Sequence, residues 1–460
     1  MVLNSIKNLE LPYEIQEKRN KLKKKPIKII MWYLLFFLPL VNCYYLNNWF
    51  PIVPISSTNF KHPKQIRLLG KDFVVWKKDN QIILQDDVCP HRCAPLSEGY
   101  IDRETNNLRC AYHGWEFNEV GNCTMIPQLE KNQQKAYRRA CVKNYPTLEH
   151  GNILWGYIGN ITTVESPMEL YNLSLDNNVF MRELPYSFYI LLENFLDPAH
   201  IPFAHHKLQS VREKGSPIDI EILSKENDLS RISVLFTEKN DDLRVGMMNF
   251  NFPVHYYLQM IRPISNLLKG MHIFIVPVQE DRSRIFISYH FNEENRKTKI
   301  FSLIPVWLRH VLTNRFLDSD TLILHKQEKF LKRHNDSYHN TKKYYMPAES
   351  DRSIKVYRRW IKKALPTIPY FNKHNFKNGR ELTREEVLDR YNQHTRDCKH
   401  CVQALKNANH FQKYGTFIFL GLFAYNRNIV TLLLAILNYN FFEKFKTLFI
   451  FQDYVHNVID

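Results

Sequence analysis

The sequence predicts an α+β chain: an all-β N-terminal domain, a strand-rich second domain that carries helices, and C-terminal membrane helices. Three observations predict this. In the first third, the runs DFVVWKK and QIILQ flank the polar pair Asp79-Asn80, a hairpin signature. Further on, HIFIVPV and RIFISYHF alternate with charged turns. Near the end, FIFLGLFAYN and IVTLLLAILNYNFF are apolar runs broken by Arg427; neither spans easily alone, and a tight hairpin of two short helices or two spans extended into neighbouring polar residues fits them. The expected divisions are a targeting or anchor segment (1–46), the all-β domain (47–160), the second domain (161–400) and a membrane tail (401–460).

A chain of 460 residues suits two or three domains. The apolar fraction of 44% permits a sizeable core. Lys and Arg exceed Asp and Glu by 17. Such an excess suits nucleic acid, an anionic membrane surface or acidic ligands. No nucleic-acid motif occurs, and the apolar segments favour the membrane. A diffuse solvated basic surface explains the charge equally well. The eight cysteines are too sparse in so long a chain for a secreted disulfide framework.

Residues 1–28 are polar and end in KLKKKPIK, and residues 29–46 read IIMWYLLFFLPLVNCYYL. A basic run before an apolar stretch suits a signal h-region or signal anchor. A full span takes about 20 apolar residues, and Pro39 and Asn42 weaken this one, so a buried or interfacial segment competes. From Asn47 the pattern changes to short strands. A second hairpin is expected after Trp115, turning within Glu119–Asn122.

Two Cys/His clips lie between these hairpins: Cys89-Pro-His91 and Cys110-Ala-Tyr-His113, with 18 residues between His91 and Cys110. Two thiolates and two imidazoles at this spacing suit a Rieske [2Fe–2S] cluster, with both Cys on one iron and both His on the other. Neutral imidazoles in place of two thiolates raise the reduction potential and make the cluster a one-electron relay. A Cys₂His₂ zinc site is the competing reading, but zinc fingers usually pair Cys with Cys and His with His. Loops at one tip of the domain would hold the clips and leave the imidazoles near solvent.

Residues 186–207 read YSFYILLENFLDPAHIPFAHHK. Asn194, Asp197, His200 and His205 form the pattern N-x₂-D-x₂-H-x₄-H. On a helix Asp197 and His200 share a face. Pro202 should end or kink that helix and let His205 swing back towards His200. With one carboxylate, two such imidazoles complete a facial triad that leaves positions on Fe(II) for O₂ and substrate. His206 is adjacent but wrongly spaced. Satisfied polar groups at a helix end would leave the same pattern.

CPHRCAPLSEG, CAYHGWEF and ENFLDPAHIPFAH resemble the Rieske non-haem iron oxygenases. Among these they are most similar to the pheophorbide a oxygenase family, with its chlorophyllide a oxygenase, protochlorophyllide-oxidising and chloroplast translocon relatives. GNCTMIPQ and the closing FIFQDYVHNV resemble family segments too, so the likeness covers about 47–460. It implies a helix-grip second domain whose antiparallel sheet encloses an apolar pocket. Residues 247–252, MMNFNF, could line that pocket or simply pack the core.

The resemblance also implies a third iron ligand on a helix within 307–328. Asp320, seven residues before Gln327, fits the family spacing, and Asp318 is second. The alternative is two surface carboxylates near a helix start. Asp197 and Asn194 are the expected catalytic residues, Asp197 receiving hydrogen bonds from His113 and His200 across a subunit boundary, which makes a homotrimer the expected assembly. Ala111 and Tyr112 occupy the place where some Rieske proteins carry a disulfide partner. That bond is therefore expected to be absent, with Cys93 and Cys123 as buried thiols.

Cys398-Lys-His-Cys401 resembles the family's dithiol, implying thioredoxin as a partner, and Lys399 and His400 would lower a thiol pKa. Half a zinc site is the alternative, but no second pair follows in sequence. The chain has no GxGxxG motif and no plant-type ferredoxin spacing, so it needs an external donor such as ferredoxin. The resemblance implies an oxygenase that uses O₂ on a chlorophyll-derived tetrapyrrole, at a plastid membrane with its catalytic domains on the stromal side. A redox-sensing translocon component is the competing function. Residues 1–46 depart from a Ser-rich transit peptide.

Overall fold

Alternating apolar side chains let one strand serve two cores, and β3 does this in the first domain. The computed structural model describes residues 47–130, 134–159, 178–225, 228–239, 244–262, 268–291, 303–334, 342–364 and 380–456. The anchor expected at 29–46 lies outside them. The first domain contains β1 (Asn48–Pro54), β2 (Lys64–Leu68), β3 (Lys71–Lys78), β4 (Gln81–Asp86), β5 (Tyr100–Ile101), β6 (Leu108–Arg109), β7 (Glu116–Phe117), β8 (Cys123–Met125), β9 (Asn144–Tyr145), β10 (Thr147–His150) and β11 (Ile153–Ile158). They form antiparallel sheets ordered β1-β11-β10, β2-β3-β4-β9 and β5-β6-β7-β8. Phe73 and Val75 enter a core with Trp155, whereas Val74 and Trp76 enter the core beneath the clips with Cys89 and Cys110, as a period of two requires.

Both expected hairpins are present. Lys78 pairs with Gln81 around Asp79-Asn80, with Asp79 at φ 52°, a left-handed position that Asp tolerates. The β7–β8 turn requires glycine. Gly121 has φ +86°, and a Cβ there would lie 2.0 Å from the Val142 carbonyl oxygen.

The second domain comprises β12 (Phe180–Leu184), α1 (Phe188–Phe195), α2 (Ile201–Ala204), β13 (Ile218–Ile222), β14 (Arg231–Glu238), β15 (Val245–Asn251), β16 (His255–Arg262), β17 (Leu268–Gln279), β18 (Arg282–Phe291), α3 (Val306–Arg333), α4 (Arg352–Ala364), α5 (Arg384–Val387) and α6 (Arg390–Gln393). The strands form one antiparallel sheet, ordered β12-β18-β17-β16-β15-β14-β13. One face packs on the helices, joining Leu192, Phe250, Ile275, Leu317 and Trp360 in one core. Phe274, Val276 and Phe286 turn to the opposite face and share a core with Phe50 and Trp155 of the first domain. Backbone bonds from Leu69 N to Pro277 O (3.0 Å) and Gly70 N to Val278 O (2.7 Å) reinforce this junction. The sheet gripping a long helix is the α+β arrangement that the resemblance implied.

The tail requires a correction. It forms a hairpin of two long helices, α7 (Lys399–Asn426) and α8 (Ile429–Ile450), turning at Arg427 with φ 51°. Among the described residues, no helix is long and apolar enough to cross a membrane. Polar side chains interrupt both runs and bond between the helices. Gln412 Nε2 donates to Glu443 Oε2 (2.9 Å), and Asn438 Nδ2 donates to Thr416 Oγ1 (3.0 Å). The tail is also not a separate appendage, because the chain after α8 returns to the second domain. Arg212 Nη2 donates to His456 O (2.6 Å), and Arg384 Nη2 donates to Tyr454 O (2.6 Å).

Candidate functional site: two metal-binding constellations

The two Cys/His clips fold as matching turns. Cys93 N donates to Cys89 O (2.9 Å) and Gly114 N donates to Cys110 O (3.0 Å). Cys89 N and Cys110 N then donate to Ala94 O and Trp115 O, each at 2.8 Å. The fourth residue after each cysteine is left-handed, Cys93 at φ 59° and Gly114 at φ 73°. The turns bury both sulfurs, at 1% and 2% exposure for Cys89 and Cys110, while His91 is exposed and His113 half-buried. The two imidazoles lie 4.5 Å apart, and His91 stacks on Trp115 at 4.5 Å.

Burial, with neighbouring Cys110, pushes the Cys89 thiol up to about 12. A thiolate there needs a metal's positive charge, so this donor set fits an iron–sulfur cluster. All described cysteines are free, consistent with the missing loop-to-loop disulfide. Cys123 is buried as expected, but Cys93 is exposed. Its left-handed position turns it away from the core that holds Cys89.

The second constellation departs locally from the expected helix. α1 stops at Phe195, and Asp197 precedes Pro198, which disfavours helical backbone at Asp197. Pro202 then lies in the first turn of α2, with His200 at its N-cap and His205 at its C-cap. Pro202 therefore begins a short helix, where its missing N–H costs nothing. Asp197 and His200 do not share one helix. The two imidazoles nevertheless converge, with centroids 5.1 Å apart.

Asp320 faces them from the middle of α3. Its Oδ2 lies 3.2 Å from His205 Nε2 and 3.8 Å from His200 Nε2. Metal–ligand distances of about 2.0–2.2 Å place neighbouring ligands on a six-coordinate ion about 3 Å apart, so the set fits a facial triad. Burial raises the Asp320 carboxyl, but the imidazoles of His200, His205 and His456 outweigh it and hold the carboxyl below the usual range. His205 Nδ1 meets Ser319 Oγ at 2.7 Å, and His200 Nδ1 meets the Asp197 carbonyl at 2.6 Å. With Nδ1–H donating, both Nε2 lone pairs face Asp320, as outer-shell partners arrange. Phe316 stacks on His205 at 3.9 Å.

Other expected roles are redistributed. The Asp197 carboxylate does not accept from His200. Oδ1 instead accepts from Ala199 N at 2.8 Å, and Oδ2 lies 3.8 Å from the His200 ring. Burial raises the Asp197 carboxyl. Asp318 is excluded as a ligand because Arg182 and Arg390 hold its oxygens at 2.7 and 2.6 Å. His206 accepts from Arg212 N at 3.0 Å, and Gln327 bonds Tyr344. His456 escaped the sequence reading. Only the return of the tail brings it beside Asp320.

The triad opens on a cavity of about 340 Å³ walled by Leu191, Phe195, Phe236, Met248, Tyr256 and Met271. Asn194, Asp197 and Arg244 supply polar atoms, and Arg244 pairs with Glu238. Of MMNFNF, Met248 lines this cavity and Phe250 packs the core.

Cys398 and Cys401 lie elsewhere, at the start of α7. Both thiols are buried, at 4% and 1% exposure. They meet His310 of α3 and His394, and the four ligand atoms lie within 4.8 Å of one another.

A β domain whose Cys/His clips fit a [2Fe–2S] cluster, joined to a helix-grip domain whose His200, His205 and Asp320 fit an iron, is the pattern of a Rieske non-haem iron oxygenase. The family comparisons agree: the Rieske [2Fe-2S] domain matches residues 48–146 and pheophorbide a oxygenase matches residues 262–337. The chain is 30% identical to rice (Oryza sativa subsp. japonica) chloroplastic pheophorbide a oxygenase, over 90% of this chain and 85% of that protein. It is also 30% identical to the protochlorophyllide-dependent translocon component 52 of Arabidopsis thaliana and to flavonoid 8-hydroxylase 2 of Ocimum basilicum, over 79% of this chain and 74% of each protein. The chain belongs to the pheophorbide a oxygenase family. Crystalline dicamba monooxygenase shares its fold, with a TM-score of 0.54 and 15% identity over 70% of this chain and 98% of that one. The enzyme uses a Rieske [2Fe–2S] cluster and a mononuclear non-haem iron, and it requires an electron donor, O₂ and an organic substrate.

Proposed function

We propose that the chain oxygenates a chlorophyll-derived tetrapyrrole, pheophorbide a or a related pigment, in a plastid. The apolar cavity opening on His200, His205 and Asp320 carries this reading, because it offers a flat hydrophobic ligand a dry wall beside the iron ligands. Cys89, His91, Cys110 and His113 would hold the cluster, and His200, His205 and Asp320 the mononuclear iron. When bound, that iron supplies O₂ activation and oxygen insertion. Around it the chain's own groups act by placement. Ser319 and the Asp197 carbonyl hold the two imidazoles in the ligating tautomer, and the apolar walls bind substrate and exclude water. Arg244, its charge met by Glu238, forms part of the polar side of the wall.

Ferredoxin is the proposed donor to the exposed His91–His113 edge. In a homotrimer, the Asp197 carboxylate would accept from a cluster histidine of a neighbouring subunit, and the Asp197 carbonyl, 2.6 Å from His200 Nδ1, carries the coupling on to the iron ligand. Attachment to the plastid membrane, stromal side inward, uses the apolar exterior of the α7–α8 hairpin, where Phe417, Ile418, Leu433, Leu437 and Phe441 are exposed. A second reading is favoured by the cavity, whose 340 Å³ is near the lower end of the about 300–1,000 Å³ common for ligand pockets. It is a flavonoid-sized phenolic, the class named for the Ocimum basilicum relative. The reduced protein should take up O₂ and yield oxygenated product with pheophorbide a and not with flavones. Turnover of flavones alone would replace the tetrapyrrole reading. No substrate-linked uptake with either would favour the redox-sensing translocon role.

A further inference from the structure

We propose that His310, His394, Cys398 and Cys401 form a structural zinc site that rivets the C-terminal hairpin to the helix carrying Asp320. Two thiols and two imidazoles converge from three parts of the fold. His310 lies on α3, His394 just after α6, Cys398 at the N-cap of α7 and Cys401 in its first turn. Cys398 Sγ lies 3.4 Å and Cys401 Sγ 3.6 Å from His310 Nδ1, and His394 Nε2 lies 3.3 Å from Cys401 Sγ. A tetrahedral zinc with Zn–S about 2.3 Å and Zn–N about 2.0–2.1 Å sets sulfur and nitrogen about 3.5 Å apart. The observed edges match that polyhedron.

The surroundings fit a closed structural site. His394 Nδ1 meets the Met181 carbonyl at 2.6 Å, so its Nδ1–H donates there and Nε2 is left to ligate, the outer-shell arrangement typical of metal-bound histidine. Phe180 stacks on the same ring at 4.6 Å. All four residues are buried, with none more than 4% exposed, which leaves no open position for substrate and disfavours attack by a partner dithiol. Binding a divalent ion releases two thiol protons to solvent and keeps both imidazoles neutral. The resulting unit carries no net charge, as burial favours. A Cys398–Cys401 disulfide would leave the two converging histidines without a role.

His310 and Asp320 are ten residues apart on α3, about 15 Å along a helix. The proposed zinc thus fastens the far end of the helix that presents the iron ligand. It also roots α7 before the chain runs out through the hairpin and back to Asp320.

Full-length protein with its iron–sulfur cluster intact should contain one zinc per chain by elemental analysis. Zinc-edge X-ray absorption should show two sulfurs at about 2.3 Å and two nitrogens at about 2.0–2.1 Å. The Cys398→Ser/Cys401→Ser variant should lose the sulfur shell and its zinc while keeping the Rieske electron paramagnetic resonance signal. Asp320→Ala should keep the zinc, which distinguishes this site from zinc misplaced at the triad. His394→Cys should retain the metal and show a third sulfur. The unmodified protein is decisive even where a variant does not fold: absence of zinc, zinc bound by nitrogen and oxygen only, or a Cys398–Cys401 disulfide after anaerobic purification would overturn the proposal.

Discussion

The cluster clips and the His/His/Asp triad are built in opposite ways. Each clip is a single turn that buries its own sulfur and leaves its imidazole towards solvent. The triad draws His200 and His205 from a broken helical segment and Asp320 from a helix more than a hundred residues later, and its wall is an apolar cavity. A relay needs an edge that a donor can reach. A reaction site needs exclusion of water and room for a substrate. The histidines show this directly: His91 is exposed, whereas His205 is 1% exposed.

If the two regions are separable in this way, Asp320→Ala should abolish oxygenation and leave the Rieske spectrum unchanged. Its effect should exceed the about 10–100-fold loss typical of removing an outer-shell partner. Iron analysis should fall from about three to about two atoms per chain. Cys110→Ser should give the converse, loss of the cluster signal with the mononuclear iron retained. Loss of both sites in either variant would show that the two regions are not separable.

The next largest effect concerns the support of Asp320. Asp318, 1% exposed, holds Arg182 and Arg390, which are 0% and 1% exposed. Asp318→Asn leaves two buried guanidinium groups without their carboxylate and should cost about 3–5 kcal/mol, measurable by denaturant unfolding. Ser319→Ala removes only the partner of His205 Nδ1. It should lower iron affinity or turnover about 10–100-fold with little change in stability, which a chelator competition would measure.

The smallest effect separates the clip and triad histidines from one that serves the sheet alone, through stacking and through hydrogen bonds to His272 (3.0 Å) and Asn251 (3.2 Å). His255 stacks on His272 at 5.3 Å in the sheet, and burial, with His272, lowers it to about 3. The folded state keeps this ring neutral while the unfolded chain takes up a proton below about 6.5. Stability is therefore lost as pH falls from about 6.5 towards 3. Between pH 7.5 and 5.5 the loss should be about 1.4 kcal/mol, and His255→Phe should remove that difference. An unchanged pH dependence would mean the ring is not held neutral.

The same contrast decides what could be read before the structure. The clips were legible because their ligands are local and their spacing is specific. The strands around them were legible from alternation and from turns such as Asp79-Asn80. His200 and His205 were legible as a pair, but the backbone between them was not. Pro202 reads equally as a helix end or a helix start, and Pro198 decided it. Asp320 required a family likeness, since nothing local separates it from Asp318, and the pairing of Asp318 with Arg182 and Arg390 appears only in the fold. His310 and His456 were invisible, being brought in by a helix and a returning tail far away in sequence. The tail read as membrane spans because hydropathy registers Phe and Leu but not the interhelical bonds of Gln412 and Asn438.

Single turnover of anaerobically reduced protein tests most directly that the clips feed the triad. Protein reduced at its cluster is mixed with ¹⁸O₂ and pheophorbide a, and cluster reoxidation is followed alongside labelled product. Substrate should accelerate reoxidation, label should enter the product, and both effects should vanish in Asp320→Ala. Substrate-dependent reoxidation persisting in Asp320→Ala, with labelled product, would contradict a relay from the clips to the triad.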